Sequence, residues 1–137
     1  MVLAVIGSRH IKDKNRVYQE IEILRMDYDI TAIVSGVAVN DDKDTGPDTY
    51  GRDYALDHGL RYIGYPAEWD NLQAFPCKVR YTGSGKPYNV LAGFNRNKFV
   101  AEDAEIALSI WDGKSKGTKD TMDQMKSQGK YVKIVII

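Results

Sequence analysis

Cysteine is almost missing from this chain, which has a single thiol, Cys77, among its 137 residues. One cysteine excludes an internal disulfide framework and any metal site built from several thiolates. The spacing of the histidine and carboxylate residues does not indicate a metal site of another kind. The sequence therefore predicts neither a bound metal nor a resident cofactor. A lone thiol is typical of the reducing cytoplasm, where we expect the protein to be.

An excess of charge of either sign is also lacking, because 19 Lys and Arg residues are balanced by 19 Asp and Glu residues. Proteins that bind nucleic acid over a wide face are usually strongly basic, so this balance disfavours a nucleic-acid partner. No apolar run approaches the roughly 20 residues of a membrane-spanning helix, and the N-terminus lacks the long apolar stretch of a signal peptide. We expect no membrane partner.

What the chain does contain is an alternation of short apolar strands with amphipathic helices. Five segments are predicted as strands: residues 2–6, 31–35, 60–64, 104–110 and 131–137. The first two have the composition of strands buried on both faces, and residues 60–64 give a weaker signal. Helical spacing fills most of the chain between the five segments. Because parallel strands need crossover connections, this pattern predicts an α/β fold. We expect a Rossmann-like three-layer sandwich with a mostly parallel sheet of about five strands.

One irregular segment, residues 69–88, interrupts this alternation with several glycines and prolines. A loop of this length inside a compact domain is usually functional or mobile. We interpret the chain as one domain, residues 1–137, with a loop insertion at residues 71–88.

The loops after the strands form the expected ligand site, because open α/β sheets bind ligands beyond the carboxyl ends of their strands. Glycine, a hydroxyl and a cation occur together at residues 7–9, after the first strand, and at residues 113–118, after the fourth. Glycine lets a ligand approach the backbone, and free N–H groups at a helix N-terminus attract phosphate. The pattern predicts a phosphate site. For any single loop, the alternative that the glycine only makes a tight turn stays open.

Two familiar nucleotide-binding motifs do not fit. The first strand-to-helix turn lacks G-x-G-x-x-G, the dinucleotide fingerprint. Residues 113–115 resemble the end of a P-loop, but Leu108 stands where that motif needs its first glycine. We therefore expect neither a standard dinucleotide-binding domain nor a P-loop NTPase.

Six other short motifs occur in a recognisable order: Gly-Ser-Arg at 7–9, Ser-Gly at 35–36, Gly-Pro-Asp at 46–48, Pro-Ala-Glu-Trp at 66–69, Ala-Gly-Phe-Asn-Arg-Asn at 92–97 and Trp-Asp-Gly-Lys-Ser-Lys-Gly-Thr at 111–118. This order resembles the YspA-like branch of the SLOG superfamily, and it covers nearly the whole chain except residues 71–88. The resemblance implies a Rossmann-like fold that binds a nucleotide or a nucleotide-derived small molecule.

The residues we expect to bind this ligand combine the strand-end loops with the matched motifs. They are Gly7, Ser8, Arg9, Gly36, Asp48, Trp69, Asn95, Gly113, Lys114, Ser115, Gly117 and Thr118. The resemblance implies that the glycines and hydroxyls among them, together with Arg9, line the phosphate side. For Asp48 the alternative is an acid that only stabilises a helix N-terminus, and for Trp69 it is packing in the core.

A catalytic role, if the ligand is cut, is expected for Glu68, Arg96 and Asp112. Arg96 resembles the arginine near the scissile bond of the LOG phosphoribohydrolases, which belong to the same superfamily. Those enzymes carry a glutamate where this chain has Thr121, so their catalytic acid is not reproduced.

Two classes of function therefore stay open. The first is hydrolysis at an N-glycosidic or phosphate bond, and the second is a non-catalytic sensor or sequestering protein for a nucleotide-derived signal. The SLOG resemblance further implies a homo-oligomer, for which residues 71–88 and the tyrosine-bearing helix at residues 46–59 are candidate interfaces.

Overall fold

Seven strands and four helices follow one another along the chain, and the computed structural model describes all of residues 1–137. The strands are β1 (Val2–Gly7), β2 (Ala32–Ser35), β3 (Arg61–Gly64), β4 (Val79–Tyr81), β5 (Pro87–Asn89), β6 (Ile106–Trp111) and β7 (Tyr131–Ile136). The helices are α1 (Lys14–Asp27), α2 (Pro47–Asp57), α3 (Ala92–Asp103) and α4 (Lys116–Ser127).

Five of the strands form one parallel sheet in the order β3-β2-β1-β6-β7. In its register, Ala4 of β1 lies opposite Val34 of β2 on one side and Ala107 of β6 on the other. The Rossmann-like sandwich with a five-stranded parallel sheet is thereby confirmed. The strand order reverses between β1 and β6, and this reversal opens a crevice at their carboxyl ends.

The helices cover both faces of the sheet, because successive side chains of a strand point to opposite sides. Leu3 and Val5 of β1 pack in a core with α1 and α2, which contribute Ile21 and Tyr54 among others. The intervening Ala4 and Ile6 pack in a second core that includes α3 and α4 residues. Small side chains on this second face bring α3 and α4 close to the sheet.

Local sequence fixes the ends of the helices. The Asp13 side chain accepts a hydrogen bond from the Arg16 N–H and starts α1, as expected of an N-terminal cap. Gly129 follows α4 with φ +72°, a conformation that glycine adopts without strain. No helix combines the length and apolarity that crossing a membrane requires.

The segment interpreted as a loop insertion contains a small antiparallel hairpin, β4–β5, which the sequence analysis did not predict. Each strand has only three residues, and β4 is exposed throughout, so neither shows an apolar alternation that a sequence reading would detect. Asn89 anchors the hairpin: it is fully buried, and its N–H donates to the Trp69 carbonyl oxygen at 2.8 Å.

The tyrosines of α2 are used by the protein's own core. Tyr50 is 6% exposed and Tyr54 is fully buried. These two side chains are therefore unavailable to an interface, and the helix as a candidate interface stays a prediction.

Candidate functional site

A cavity of about 530 Å³ opens at the carboxyl ends of β1 and β6, where the strand order reverses. Its walls come from the loop after β1, the first turns of α2, α3 and α4, and Trp69. We call it the cationic cavity, because Arg9, Arg96, Lys116 and His10 line it while Asp48 is its one carboxylate.

Most of the expected ligand-binding residues line this cavity. They are Gly7, Ser8, Arg9, Asp48, Trp69, Ser115, Gly117 and Thr118, together with Arg96 from the expected catalytic set. Six other expected residues do not line it: Gly36, Glu68, Asn95, Asp112, Gly113 and Lys114. The structure thus brings the β1 and β6 loops together and separates Glu68 from its neighbour Trp69.

The first turn of α4 presents free backbone donors to the cavity. The Ser115 hydroxyl accepts a long hydrogen bond of 3.5 Å from the Thr118 N–H, which caps the helix. The N–H groups of Lys116 and Gly117 have no partner within the chain. Because a helix N-terminus carries partial positive charge, these two donors attract an anion.

The first turn of α3 adds a second set of donors. Gly93 and Phe94 line the cavity, and their N–H groups also lack a partner within the chain. Asn97 holds this helix against α4, since its amide donates to the Gly117 carbonyl oxygen at 3.2 Å and to Asp120 at 3.1 Å. Two helix N-termini therefore point their free N–H groups into one cavity.

Arg96 is held in place by backbone carbonyl groups rather than by an acid. Its Nη1 donates to the carbonyl oxygens of Gly36 at 2.5 Å and Tyr65 at 3.2 Å. Its Nε donates to the Asn97 side chain at 3.1 Å. Nη2 has no partner within the chain, so it stays available to a ligand. Burial lowers the pKa of Arg96, an effect that the nearby Asp48 opposes.

Gly36 acts by leaving room for this arginine. A Cβ atom at Gly36 would lie 2.1 Å from Arg96 Nη1 and 2.7 Å from Asp48 Oδ2. Any larger residue would displace one or both of these groups. Gly36, which we expected to bind the ligand, therefore does not line the cavity but leaves the space that Arg96 occupies.

Asp48 is the acidic group of the cavity, and it stands at the first turn of α2. Burial raises its pKa to about 6, against the pull of Arg96, Arg9 and the backbone N–H groups of Gly36 and Gly7. Asp48 forms no direct ion pair with either arginine, although all three line the same cavity. A carboxyl group with this pKa exchanges its proton near neutral pH.

Arg9 and Ser8 complete the β1 side. The Arg9 side chain is exposed and has no hydrogen bond or ion pair within the chain, so its guanidinium is free to bind an anion. Ser8 is buried, and its hydroxyl oxygen accepts from the Asp112 N–H at 3.1 Å. That contact ties the loop after β1 to the loop after β6.

Asp112 shapes the β6 loop. Its carboxylate accepts hydrogen bonds from the N–H groups of Lys114 and Ser115, both at 2.8 Å, and these bonds lower its pKa. Its other oxygen lies 3.5 Å from His10 Nε2. Gly113 adopts φ +80° in the turn that results. Asp112, Gly113 and Lys114 therefore position Ser115 and the start of α4.

A second cavity of about 350 Å³ lies on the other side of Arg96. Its walls include Tyr65, Pro66 and Phe99, and its polar groups include Glu68 and Asn95. The rings of Tyr65 and Phe99 stack with centroids 5.6 Å apart. We call it the aromatic cavity. Glu68 and Asn95, two expected site residues that do not line the cationic cavity, line this one.

Several lining residues were not expected from the sequence. They are His10, Gly93, Phe94, Asn97, Lys116 and Thr121. Four of these residues lie inside the motifs at 92–97 and 111–118, so the motifs could have predicted them: Gly93, Phe94, Asn97 and Lys116. Nothing in the sequence pairs His10 with Asp112, since 102 positions separate them in the chain.

The arrangement can hold an anion between two arginines and two helix N-termini, beside one carboxyl group that gains or loses a proton. Groups of His, Cys, Asp or Glu that could hold a metal ion do not occur. Comparisons with protein-family models, with curated proteins and with solved structures find no match to this chain.

Proposed function

We propose that this protein binds a phosphate-bearing, nucleotide-derived small molecule in the cationic cavity. The observation that carries the proposal is the convergence of free N–H groups from α3 and α4 with the unpaired Arg9 and the free Nη2 of Arg96. These donors surround one space and lack a protein acceptor. Phosphate offers several acceptor oxygens and the charge that such a site favours.

Size and surroundings support a ligand larger than phosphate alone. The cationic cavity is about 530 Å³, within the range of small-molecule sites. Trp69, which is 38% exposed, supplies an aromatic surface in its wall. Five of the six motifs that resemble the SLOG superfamily contribute at least one residue to this cavity, and that resemblance favours a nucleotide-derived ligand.

The test is a binding panel with intact-ligand recovery. The purified protein is titrated with nucleoside monophosphates, ADP-ribose, NAD and cyclic nucleotides, and its melting temperature is followed, since a ligand of the folded state raises it. We expect a concentration-dependent rise with at least one phosphorylated ligand. Mass spectrometry of the supernatant then shows whether the ligand is recovered intact or cut.

Asp48 favours hydrolysis of an N-glycosidic bond as a second candidate function. Its pKa of about 6 lets it donate a proton near neutral pH, and it is the carboxyl group that faces the cavity. In such a step the bond from C1′ to the base nitrogen breaks. The base keeps the electron pair and takes the Asp48 proton, and a water oxygen bonds to C1′ while its proton passes to the Asp48 carboxylate.

The two candidates predict different products. If the protein is a hydrolase, free base and ribose phosphate accumulate, and Asp48→Asn abolishes their formation while nucleotide binding persists. If the protein is a sensor or sequestering protein, the ligand is released unchanged after denaturation. Thr121, which stands where the LOG enzymes have glutamate, lines the cavity but cannot supply an acidic proton, which favours the second outcome.

A further inference from the structure

The aromatic cavity differs from the cationic cavity in the charged groups that line it. Its walls are mostly apolar, and its charged group other than the shared Arg96 is the Glu68 carboxylate. The two cavities meet at Arg96, which lines both of them. A ligand that fills both would therefore carry its negative charge at one end and an apolar part at the other.

We propose that the aromatic cavity is the binding subsite for a flat heteroaromatic ring with an exocyclic amino group. This inference rests on the proposed binding of phosphate in the cationic cavity, and it narrows the ligand to a phosphorylated, amino-substituted base nucleotide. The sugar would lie beside Arg96, between the phosphate and the ring.

The apolar walls suit a planar ring. Tyr65 and Phe99 stack at an interplanar angle of 26°, and together with Pro66 they give the cavity an aromatic and aliphatic surface. Phe99 is 49% exposed, so part of its ring is accessible to a ligand. Covering such surface with a ring removes apolar area from water, and offset stacking adds to the gain.

Apart from Arg96, which both cavities share, the polar groups of the cavity that lack a partner within the chain are acceptors. One Glu68 oxygen accepts from the Asn71 side-chain amide at 3.2 Å, and the other oxygen has no partner within the chain. Asn95 donates through its amide nitrogen to the Pro76 carbonyl oxygen at 2.9 Å, which leaves its side-chain oxygen unpaired. Two unpaired acceptors select a ring edge that carries N–H donors.

This donor requirement distinguishes between nucleobases. Adenine and cytosine present an exocyclic amino group that can donate to Glu68. Uracil presents a carbonyl oxygen at the equivalent place, and a carbonyl oxygen beside an unpaired carboxylate is repelled. The structure therefore favours an amino-bearing base over its oxo counterpart.

Four probes test the subsite by isothermal titration: AMP, CMP, UMP and ribose 5-phosphate. We expect AMP or CMP to bind at least about tenfold more tightly than UMP, the factor that about 1.4 kcal/mol represents. In Glu68→Gln the negative charge is lost and one of the two acceptor oxygens is replaced by an NH2 donor, so the amino-base preference should shrink by about that factor. Ribose 5-phosphate should bind the variant and the unchanged protein equally.

A matched variant and a second substitution keep the test decisive. Glu102→Gln removes an exposed α3 carboxylate that lines neither cavity, and it should leave all four affinities unchanged. Phe99→Ala should weaken AMP and CMP but spare ribose 5-phosphate, because Phe99 does not line the cationic cavity. Circular dichroism confirms that each variant is folded.

The outcomes separate the two proposals. If ribose 5-phosphate binds but UMP matches AMP and CMP, or Glu68→Gln changes nothing, the ring subsite is wrong while the phosphate site stands. If none of the four probes binds to the folded protein, both the proposed phosphate site and the proposed ring subsite are wrong.

Discussion

The cationic cavity and the aromatic cavity share Arg96 and differ in what builds them. The donors of the cationic cavity are largely main-chain N–H groups at helix starts, so its chemistry follows from the fold itself. The aromatic cavity owes its chemistry to the side chains of Glu68, Asn95 and Phe99, beside the inserted hairpin. The proposed anion binding would thus depend mainly on the fold, whereas the proposed selectivity would depend on individual side chains.

The largest expected effect comes from Gly36→Ala, which affects both cavities at once. The new Cβ would overlap Arg96 Nη1, and this side chain must then leave its hydrogen bond to the Gly36 carbonyl oxygen. We expect nucleotide affinity to fall about ten- to hundredfold, which is the loss expected when one or two charge-assisted hydrogen bonds to the ligand are removed. Isothermal titration measures the loss.

Gly83→Ala is the matched control for this substitution, because nothing lies within 4 Å of a Cβ at Gly83 and it is remote from Arg96. It should bind nucleotide normally. Unchanged affinity in a folded Gly36→Ala protein would show that Arg96 does not have to occupy its observed position for binding.

Arg9→Ala should disable the cationic cavity alone. The exposed guanidinium has no partner within the chain, so its removal should leave the melting temperature nearly unchanged. Affinity for phosphorylated ligands should fall about tenfold, because a hydrogen bond to a charged group is worth about 1.5–3 kcal/mol. Arg80→Ala, an equally exposed arginine outside both cavities, should do neither. Equal binding by the two variants would remove Arg9 from the site.

Gly117→Ala separates stability from binding at the start of α4. A Cβ at this position meets no atom within 4 Å, and alanine favours a helix over glycine by about 0.5–1 kcal/mol. We therefore expect a slightly higher melting temperature together with several-fold weaker phosphate binding, since the methyl group would stand where an anion approaches the free N–H. If binding is retained, the anion lies elsewhere.

A pH-dependent effect concerns the proton on Asp48, whose pKa is raised from 3.8 to about 6. The folded protein holds this proton more tightly than the unfolded chain. The Asp48 contribution to the free energy of unfolding therefore falls as pH rises from 3.8 to about 6, and it stays low above that. In Asp48→Asn this part of the pH dependence should vanish. Thermal melts at pH 4.5 and 7.5 measure it.

The affinity for an anion should also depend on whether Asp48 is protonated. Sulfate keeps its charge across this range and is a suitable probe, and its affinity should rise as pH falls through about 6, because protonation removes the negative charge of Asp48. His10 also lines the cavity, so the titrations use a His10→Gln background. A flat profile in that background would mean that Asp48 does not face the bound anion.

The sequence was sufficient to predict the sheet and the residues at its strand ends. Short apolar runs predicted the strands, although residues 60–64 gave a weaker signal and β3 and β7 are only partly buried. The position after a strand predicted Arg9 and Ser115, because parallel topology brings strand ends to one edge. It was insufficient for the hairpin, whose three-residue strands leave no periodic signal. It also grouped Glu68 with Trp69, yet these neighbours line different cavities, at a turn in which the Asn71 N–H donates to the Glu68 carbonyl oxygen.

Contacts between residues that are far apart in the chain could not be predicted from the sequence either. The contact of His10 with Asp112, and of Asn97 with Asp120, depends on how α3, α4 and the β1 loop approach one another. Only the packed structure contains that information.

The most direct measurement is a thermal-denaturation titration of the unaltered protein with AMP and with adenosine, which differ only in the phosphate group. If a phosphate occupies the cationic cavity, AMP raises the melting temperature with increasing concentration, and adenosine at the same concentrations produces little or no rise. Equal shifts with both ligands, or no shift with AMP or any other phosphorylated ligand of the panel, would contradict the phosphate site.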